Sequence, residues 1–187
     1  IVGGRVGAWN GNLSDGGEDL FVVEADEYDR SFHALAPAVA VVTNMEADHL
    51  DIYPGGIDEI RIAFAQFVRD AQTIVLCADD AGASSIPITN TAEVIRYGTR
   101  SENARLVATA IETVAGGSTY ECYYDGKKLG QVRRAVPGLH NIRNSLAAIA
   151  SGIALGATLP AMVDGLAAFT GVERRFQRLG NAGGVTI

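Results

Sequence analysis

The sequence predicts an α/β domain, a mostly parallel central sheet flanked by helices with a small antiparallel β patch at its side. Leu20 to Val23, Ala38 to Thr43 and Thr73 to Cys77 are short apolar runs rich in β-branched residues, the pattern of strands buried on both faces of a parallel sheet. Between the last two, Ile57, Ile60, Phe64, Phe67 and Val68 recur at three- and four-residue spacing, which predicts one apolar face of a helix over about 56–71. Past residue 93 the runs remain strand-like but turn tightly, and Asp125-Gly126 is a strong two-residue hairpin signal.

Each element has its own local reason. The first run ends in Glu24, Asp26, Glu27 and Asp29, and a period of two puts Val22 and Glu24 on one face with Glu24 at the strand tip. The second run ends in Asn44, Asp48, His49 and Asp51. With the helix that follows and Thr73 to Cys77, it forms a βαβ unit closed by the turn residues Asp79-Asp80-Ala81-Gly82. Val94 to Tyr97, Ala104 to Thr113, Ser118 to Tyr124 and Leu129 to Val136 then read as the strands that build the antiparallel patch. From His140 to Leu155 helical spacing runs through Ile142, Leu146, Ile149 and Ile153, and Pro160 at a first-turn position opens a second helix to about Phe169.

Composition narrows the function. A chain of 187 residues fits one domain. A net charge of −7 without a basic cluster argues against nucleic acid. The two cysteines, Cys77 and Cys122, sit in apolar or Tyr-rich runs at no metal spacing and read as small buried thiols of a reducing compartment. No apolar stretch is long enough for a membrane span or a signal peptide, so a soluble cytoplasmic protein is expected. Thirteen of the 15 basic residues are arginine, and the only lysines are Lys127 and Lys128. Any mechanism that needs a lysine before residue 127 is excluded.

In an open α/β sheet the pocket lies beyond the carboxyl ends of the parallel strands, so acidic groups there converge on one cleft, as in a metal or phosphate site. Mg²⁺ takes oxygen ligands and uses only one or two protein groups beside phosphate oxygens, an economy that Glu24 and His49 fit. A histidine also suits Mn²⁺, so the residues leave the metal open. In the run 136–144, Pro137-Gly138 turns the backbone and sets His140, Asn141 and Asn144 in the first turn of a helix, where an amide side chain either caps or pairs with a purine edge. Arg174 and Arg175 follow the last helix and either clamp phosphate with planar forks or lie solvated.

The segments EADE, TNMEADHLD, PGLHNIRNSLAA and GVERRF, in this order and at these separations, resemble the central ATP-binding domain of the Mur ligases over nearly the whole chain. The likeness is greatest to the members that add L-alanine, and the member that recycles murein tripeptide is the nearest alternative. The resemblance implies a P-loop-NTPase-like fold and an ATP-dependent carbon–nitrogen ligase of peptidoglycan synthesis, serving cell-wall biogenesis, cell shape and division. ATP would phosphorylate the lactyl carboxylate of UDP-N-acetylmuramic acid, and the amine of L-alanine would attack the acyl phosphate. It implies Glu24 and His49 as Mg²⁺ ligands, His140, Asn141 and Asn144 along the adenine, and Arg174 and Arg175 on the phosphates, with Glu24, His49 and Arg175 as the catalytic set.

The sequence also departs from a whole ligase. It has no G-x-x-G-K-[ST] phosphate loop and no counterpart of the carbamylated lysine some members use. The expectation is therefore a central domain over 1–177 lacking its phosphate-loop segment, with 178–187 as a linker toward a C-terminal domain, and a chain without turnover on its own. Two further readings are a stand-alone metal-dependent hydrolase built on Glu24, Asp26, His49 and Asp79, and an interaction module whose acidic turns are merely solvated.

Overall fold

The computed structural model describes residues 1–114, 116–173 and 180–186. It contains two compact units, Asp26–Phe169 and the smaller Ile1–Ala25 with Thr170–Ile187.

The larger unit is built on one six-stranded sheet in sequential order, β1 (Val39–Val42), β2 (Thr73–Cys77), β3 (Glu93–Gly98), β4 (Leu106–Val114), β5 (Gly117–Tyr124) and β6 (Lys127–Arg134). The pairs from β1 to β4 are parallel, and β4, β5 and β6 form an antiparallel meander. The expected mixed sheet is thus present. In β2 all five residues, TIVLC, are buried, as expected for a strand with neighbours on both sides. β1 corrects the expectation of a strand covered on both faces: it is the sheet's edge, burying Ala40 and Val42 while Val41 stays 37% exposed. The β5–β6 turn is the predicted hairpin. Asp125 and Gly126 both have positive φ, 48° and 76°, the mirror-image turn whose twist matches the strands.

Helix α1 (Ile57–Val68) turns Ile60, Ala63, Phe67 and Val68 inward. It packs against a short 3₁₀ turn, Ser31–Ala34, where the Phe32 ring lies 5.3 Å from Phe64 and 5.1 Å from Phe67. A four-residue helix α2 (Ala81–Ser84) follows β2. Helix α3 (Leu139–Ala154) buries Ile142, Ser145, Leu146, Ile149 and Ala150 and lies across β1 to β4. Helix α4 (Leu159–Ala168), with Pro160 in its first turn, packs on α3 and β6. The buried Tyr120 hydroxyl of β5 meets the Ser145 hydroxyl of α3 at 2.7 Å, so the polar tip of a large core side chain is satisfied. Both cysteines are free and buried, and burial pushes the Cys122 thiol up to about 11.

One predicted strand is absent. Leu20 to Val23 lies in the smaller unit and joins no strand among the described residues. Leu20, Phe21 and Val22 are 57%, 69% and 66% exposed, and among the described residues the segment's backbone bonds to Ile1, through Ile1 N–H to Val22 carbonyl (2.7 Å) and Glu24 N–H to Ile1 carbonyl (2.9 Å). Composition made it strand-capable. A strand also needs a neighbour to pair its amides and carbonyls. The smaller unit also holds a Val6–Gly11 bridge, an Arg5–Glu173 ion pair at 3.2 Å and a two-stranded hairpin of β7 (Asn181–Ala182) and β8 (Val185–Thr186).

Candidate functional site

The loop after β1 is fastened to the turn after β2. Asp80 Oδ1 accepts the Met45 amide at 3.2 Å and the Ala83 amide at 2.7 Å, so one carboxylate caps α2 and holds the loop. The approach is close enough to require Gly82, where an added Cβ would stand 1.9 Å from the Met45 carbonyl oxygen.

Farther along the loop, His49 adopts the left-handed conformation (φ 52°), uncommon for a side chain of this size. Its amide is held by Asp48 Oδ1 at 2.7 Å, and its carbonyl accepts the Ile52 and Tyr53 amides at 2.9 and 3.0 Å. Tyr53 is fully buried and donates its hydroxyl to the Glu27 carbonyl at 2.6 Å. That bond draws the acidic turn onto the histidine. The Nε2 of His49 lies 3.8 Å from Glu27 Oε1, and its ring meets Tyr28 edge-on at 5.1 Å. Asp26 and Asp29 instead accept the Tyr28 and Ser31 amides, each at 3.0 Å, and shape the turn. Arg30 braces it from below, bonded to Glu59 and to the Ile52 carbonyl and lying 4.8 Å over the Tyr53 ring.

Asp79 is the hub of this sheet edge. Its side chain is 1% exposed and accepts the Thr99 amide and hydroxyl (both 2.7 Å), the Arg100 and Ser101 amides (3.1 and 3.0 Å) and Arg143 Nε (3.1 Å). Burial alone would raise its pKa. The Thr99, Ser101 and Arg100 donors outweigh burial and hold the carboxyl at about 2. Gly98 is needed beside it, since a Cβ there would stand 2.6 Å from Asp79 Oδ1.

Arg143 belongs to the start of α3, so its bond to Asp79 brings the helix that carries His140, Asn141 and Asn144 to the same carboxyl edge as the His49 loop. The helix is capped at Gly138 without a side-chain acceptor. Asn141 donates Nδ2 to the Pro137 carbonyl at 2.8 Å, and its Oδ1 has no partner among the described residues. The His140 ring folds over Gly138, and His140 and Asn144 are exposed, without side-chain hydrogen bonds to described residues.

Glu24 lies in the smaller unit, exposed, with Oε2 accepting the Gly3 amide at 2.6 Å. Arg174 and Arg175 lie outside the described residues. Of the hydrolase set, Asp79 is wholly committed to protein donors, and among the described residues no group of three or more His, Cys, Asp or Glu side chains is placed to hold a metal. Sequence reasoning placed Asp79 and Asp80 at the sheet edge but missed their bracing role. Asp79 to Arg143 spans 64 residues, and no local pattern announces such a pair.

The larger unit thus sets a braced loop after β1 and the start of α3 at one edge of a sequentially ordered sheet. Residues 10–152 match the Mur ligase middle domain, and the chain belongs to that family. Among curated relatives, the UDP-N-acetylmuramate–L-alanine ligase of Salinibacter ruber is 38% identical over 190 aligned residues, covering 100% of this chain and 40% of that protein. The crystal structure of the UDP-N-acetylmuramate–alanine ligase MurC of Thermotoga maritima superposes with a TM-score of 0.83 at 25% identity, over 97% of this chain and 40% of that one. The UDP-N-acetylmuramate:L-alanyl-γ-D-glutamyl-meso-diaminopimelate ligase from Neisseria meningitides superposes at 0.70 with 29% identity, over 82% and 49%. The chain thus spans about two fifths of the length of the first of these. No helix among the described residues is long and apolar enough to cross a membrane.

Proposed function

We propose that this chain is the nucleotide-binding part of an ATP-dependent ligase that joins L-alanine to UDP-N-acetylmuramic acid through an acyl phosphate, in cytoplasmic peptidoglycan synthesis. One observation carries the reading: the His49 loop and the first turn of α3 are wired to one sheet edge by Asp80 and Asp79. The Salinibacter ruber UDP-N-acetylmuramate–L-alanine ligase, matched along the whole of this chain, supports the L-alanine member of the family over the tripeptide-adding one.

In this reading Asn141 and its neighbours His140 and Asn144 recognise adenine. Asn141 suits the task because its amide nitrogen is already fixed on Pro137, leaving Oδ1 to accept from an exocyclic amine. Glu24 and His49 hold Mg²⁺, and Arg174 and Arg175 contact the phosphates. Taken separately, Glu24 keeps Oε1 without a described partner, and His49 carries a ring nitrogen 3.8 Å from the Glu27 carboxylate, oxygen and nitrogen donors of the kind Mg²⁺ or Mn²⁺ takes. Bound there, the cation would neutralise phosphate charge, and phosphoryl transfer draws most of its catalysis from such positioning and neutralisation. Residues 1–177 make up the domain and 178–187 a linker, and the chain by itself binds without turning over.

Calorimetric titration with Mg²⁺-ATP tests the proposal. Binding should be measurable for the unaltered chain. It should weaken about 10-fold or more in His49→Ala and in Asn141→Ala, the loss of one charge-assisted or hydrogen-bonded contact at roughly 1.4 kcal/mol per decade. Equal affinity in all three proteins would overturn the site assignment.

A further inference from the structure

Around the acidic turn and the His49 loop, two residues hold backbone conformations that side chains of their size rarely adopt, His49 at φ 52° and Arg30 at φ 62°. Such conformations persist where the surroundings over-determine them. Tyr53 meets both. Its amide donates to the His49 carbonyl at 3.0 Å, and the Arg30 guanidinium lies 4.8 Å over its ring. Its hydroxyl donates to the Glu27 carbonyl at 2.6 Å, in the turn whose Glu27 carboxylate and Tyr28 ring face the His49 imidazole. Burial raises the phenol pKa, so the hydroxyl remains a donor.

The Glu27 carbonyl does not depend on this hydroxyl for a partner, since it also accepts the Arg30 amide at 3.1 Å. The far end of the turn is anchored as well: Arg30 bonds to Glu59 and to the Ile52 carbonyl, and Phe32 packs on α1. What the hydroxyl adds is a second point of attachment, at the Glu27 end beside the histidine. A segment held at one end can pivot, whereas one held at both keeps its orientation. The contacts that place the imidazole are loose by comparison. Glu27 Oε1 is 3.8 Å from Nε2, beyond hydrogen-bond range, and the Tyr28 ring, 47% exposed, touches it edge-on at 5.1 Å. The ring therefore follows wherever the turn is held.

We propose that Tyr53 is a positioning residue for cation binding at His49: its hydroxyl, acting through the Glu27 carbonyl, holds the turn that sets the imidazole in its metal-accepting orientation. The inference rests on His49 as the metal ligand proposed above and adds a residue that never touches the ion.

The test is Tyr53→Phe, which keeps the buried ring and removes one oxygen. Calorimetric titration with Mg²⁺-ATP and with ATP in EDTA separates the cation's part of the affinity from the nucleotide's. Groups that orient a ligating histidine change metal affinity roughly 10–100-fold when lost, and Tyr53 acts one contact further away, so the gain given by Mg²⁺ should shrink about 5-fold or more. Binding of ATP in EDTA should stay as it was. The unfolding midpoint should fall by only about 2–4 °C, as for one ordinary hydrogen bond. Ring ¹⁵N resonances give a metal-free readout: of the three histidines, His49 should shift in Tyr53→Phe and His140, at the start of α3, should not. An unchanged Mg²⁺ gain, equal weakening of ATP and Mg²⁺-ATP, or unmoved His49 resonances would overturn the proposal. Should Tyr53→Phe fail to fold, Tyr28→Ala at its half-exposed position decides, with the Mg²⁺ gain expected to shrink about 3-fold and an unchanged gain counting against the proposal. A gain lost in His49→Ala but kept in Tyr53→Phe sinks this inference alone. Absence of any Mg²⁺ gain in the unaltered chain removes the metal role of His49 and this inference with it.

Discussion

Asp79, in the turn after β2, and Arg134, at the end of β6, are both ionic groups removed from water, and their surroundings could hardly differ more. Asp79, at 1% side-chain exposure, is met by four backbone and hydroxyl donors and by Arg143. Arg134, at 4%, meets none among the described residues. The first arrangement turns a buried charge into a fastener, because every donor that lost water regained an acceptor. The second leaves the cost of dehydration standing. A charge satisfied within the chain braces structure, whereas one without a partner carries only the cost of its burial.

The sharpest way to break this contrast is Asp79→Ala, which strands five donors at once. It should cost about 3–5 kcal/mol in urea unfolding. A loss below about 1 kcal/mol would mean the hub braces nothing. A milder probe is acid. The folded carboxyl sits at about 2 against an ordinary 3.8, so its contribution, about 2 kcal/mol, is complete above the ordinary value and is lost as pH falls toward and through 2. Stability followed by circular dichroism from pH 5 to 2 should decline in the unaltered chain and decline less in Asp79→Asn.

Arg134→Met should have the opposite sign. Replacing the unpaired ion by an apolar side chain of similar length should stabilise the chain by about 1–2 kcal/mol. Destabilisation would show that the guanidinium is satisfied in a way its surroundings do not reveal. The smallest effect belongs to an exposed charge: Arg105, 36% exposed, grips Asp125 through two bonds at 2.8 and 2.9 Å and Glu93 at 3.1 Å. Arg105→Ala should cost no more than about 1 kcal/mol, and less in high salt.

The parts of the fold readable in the sequence are those with local causes. The 3.6-residue period marked α1 and α3, Pro160 marked the start of α4, and Asp125-Gly126 marked the hairpin, since each depends only on neighbours a few residues away. Leu20 to Val23 misled for the complementary reason, its apolar composition being necessary for a buried strand and silent about a pairing partner. β1 misled in part, because an edge position is a property of the sheet. The candidate site divides the same way. His49 and Asn141 stood out by residue type in acid- and amide-rich loops, but their meeting at one edge rests on Asp80 with Met45 and Asp79 with Arg143. Arg134 carried a faint sign, lying two residues past the buried Val132 on the same strand face.

The sequence by itself determined the α/β class, the helices, the hairpin and the residue types at each strand end, because these follow from short-range sterics and periodicity. Only the tertiary structure decided which carboxylate became a brace, which histidine was pinned beside Glu27, and which arginine was buried without a counterion. Those outcomes depend on what distant segments bring to the same point, and whether a buried charge meets partners there decides its energy.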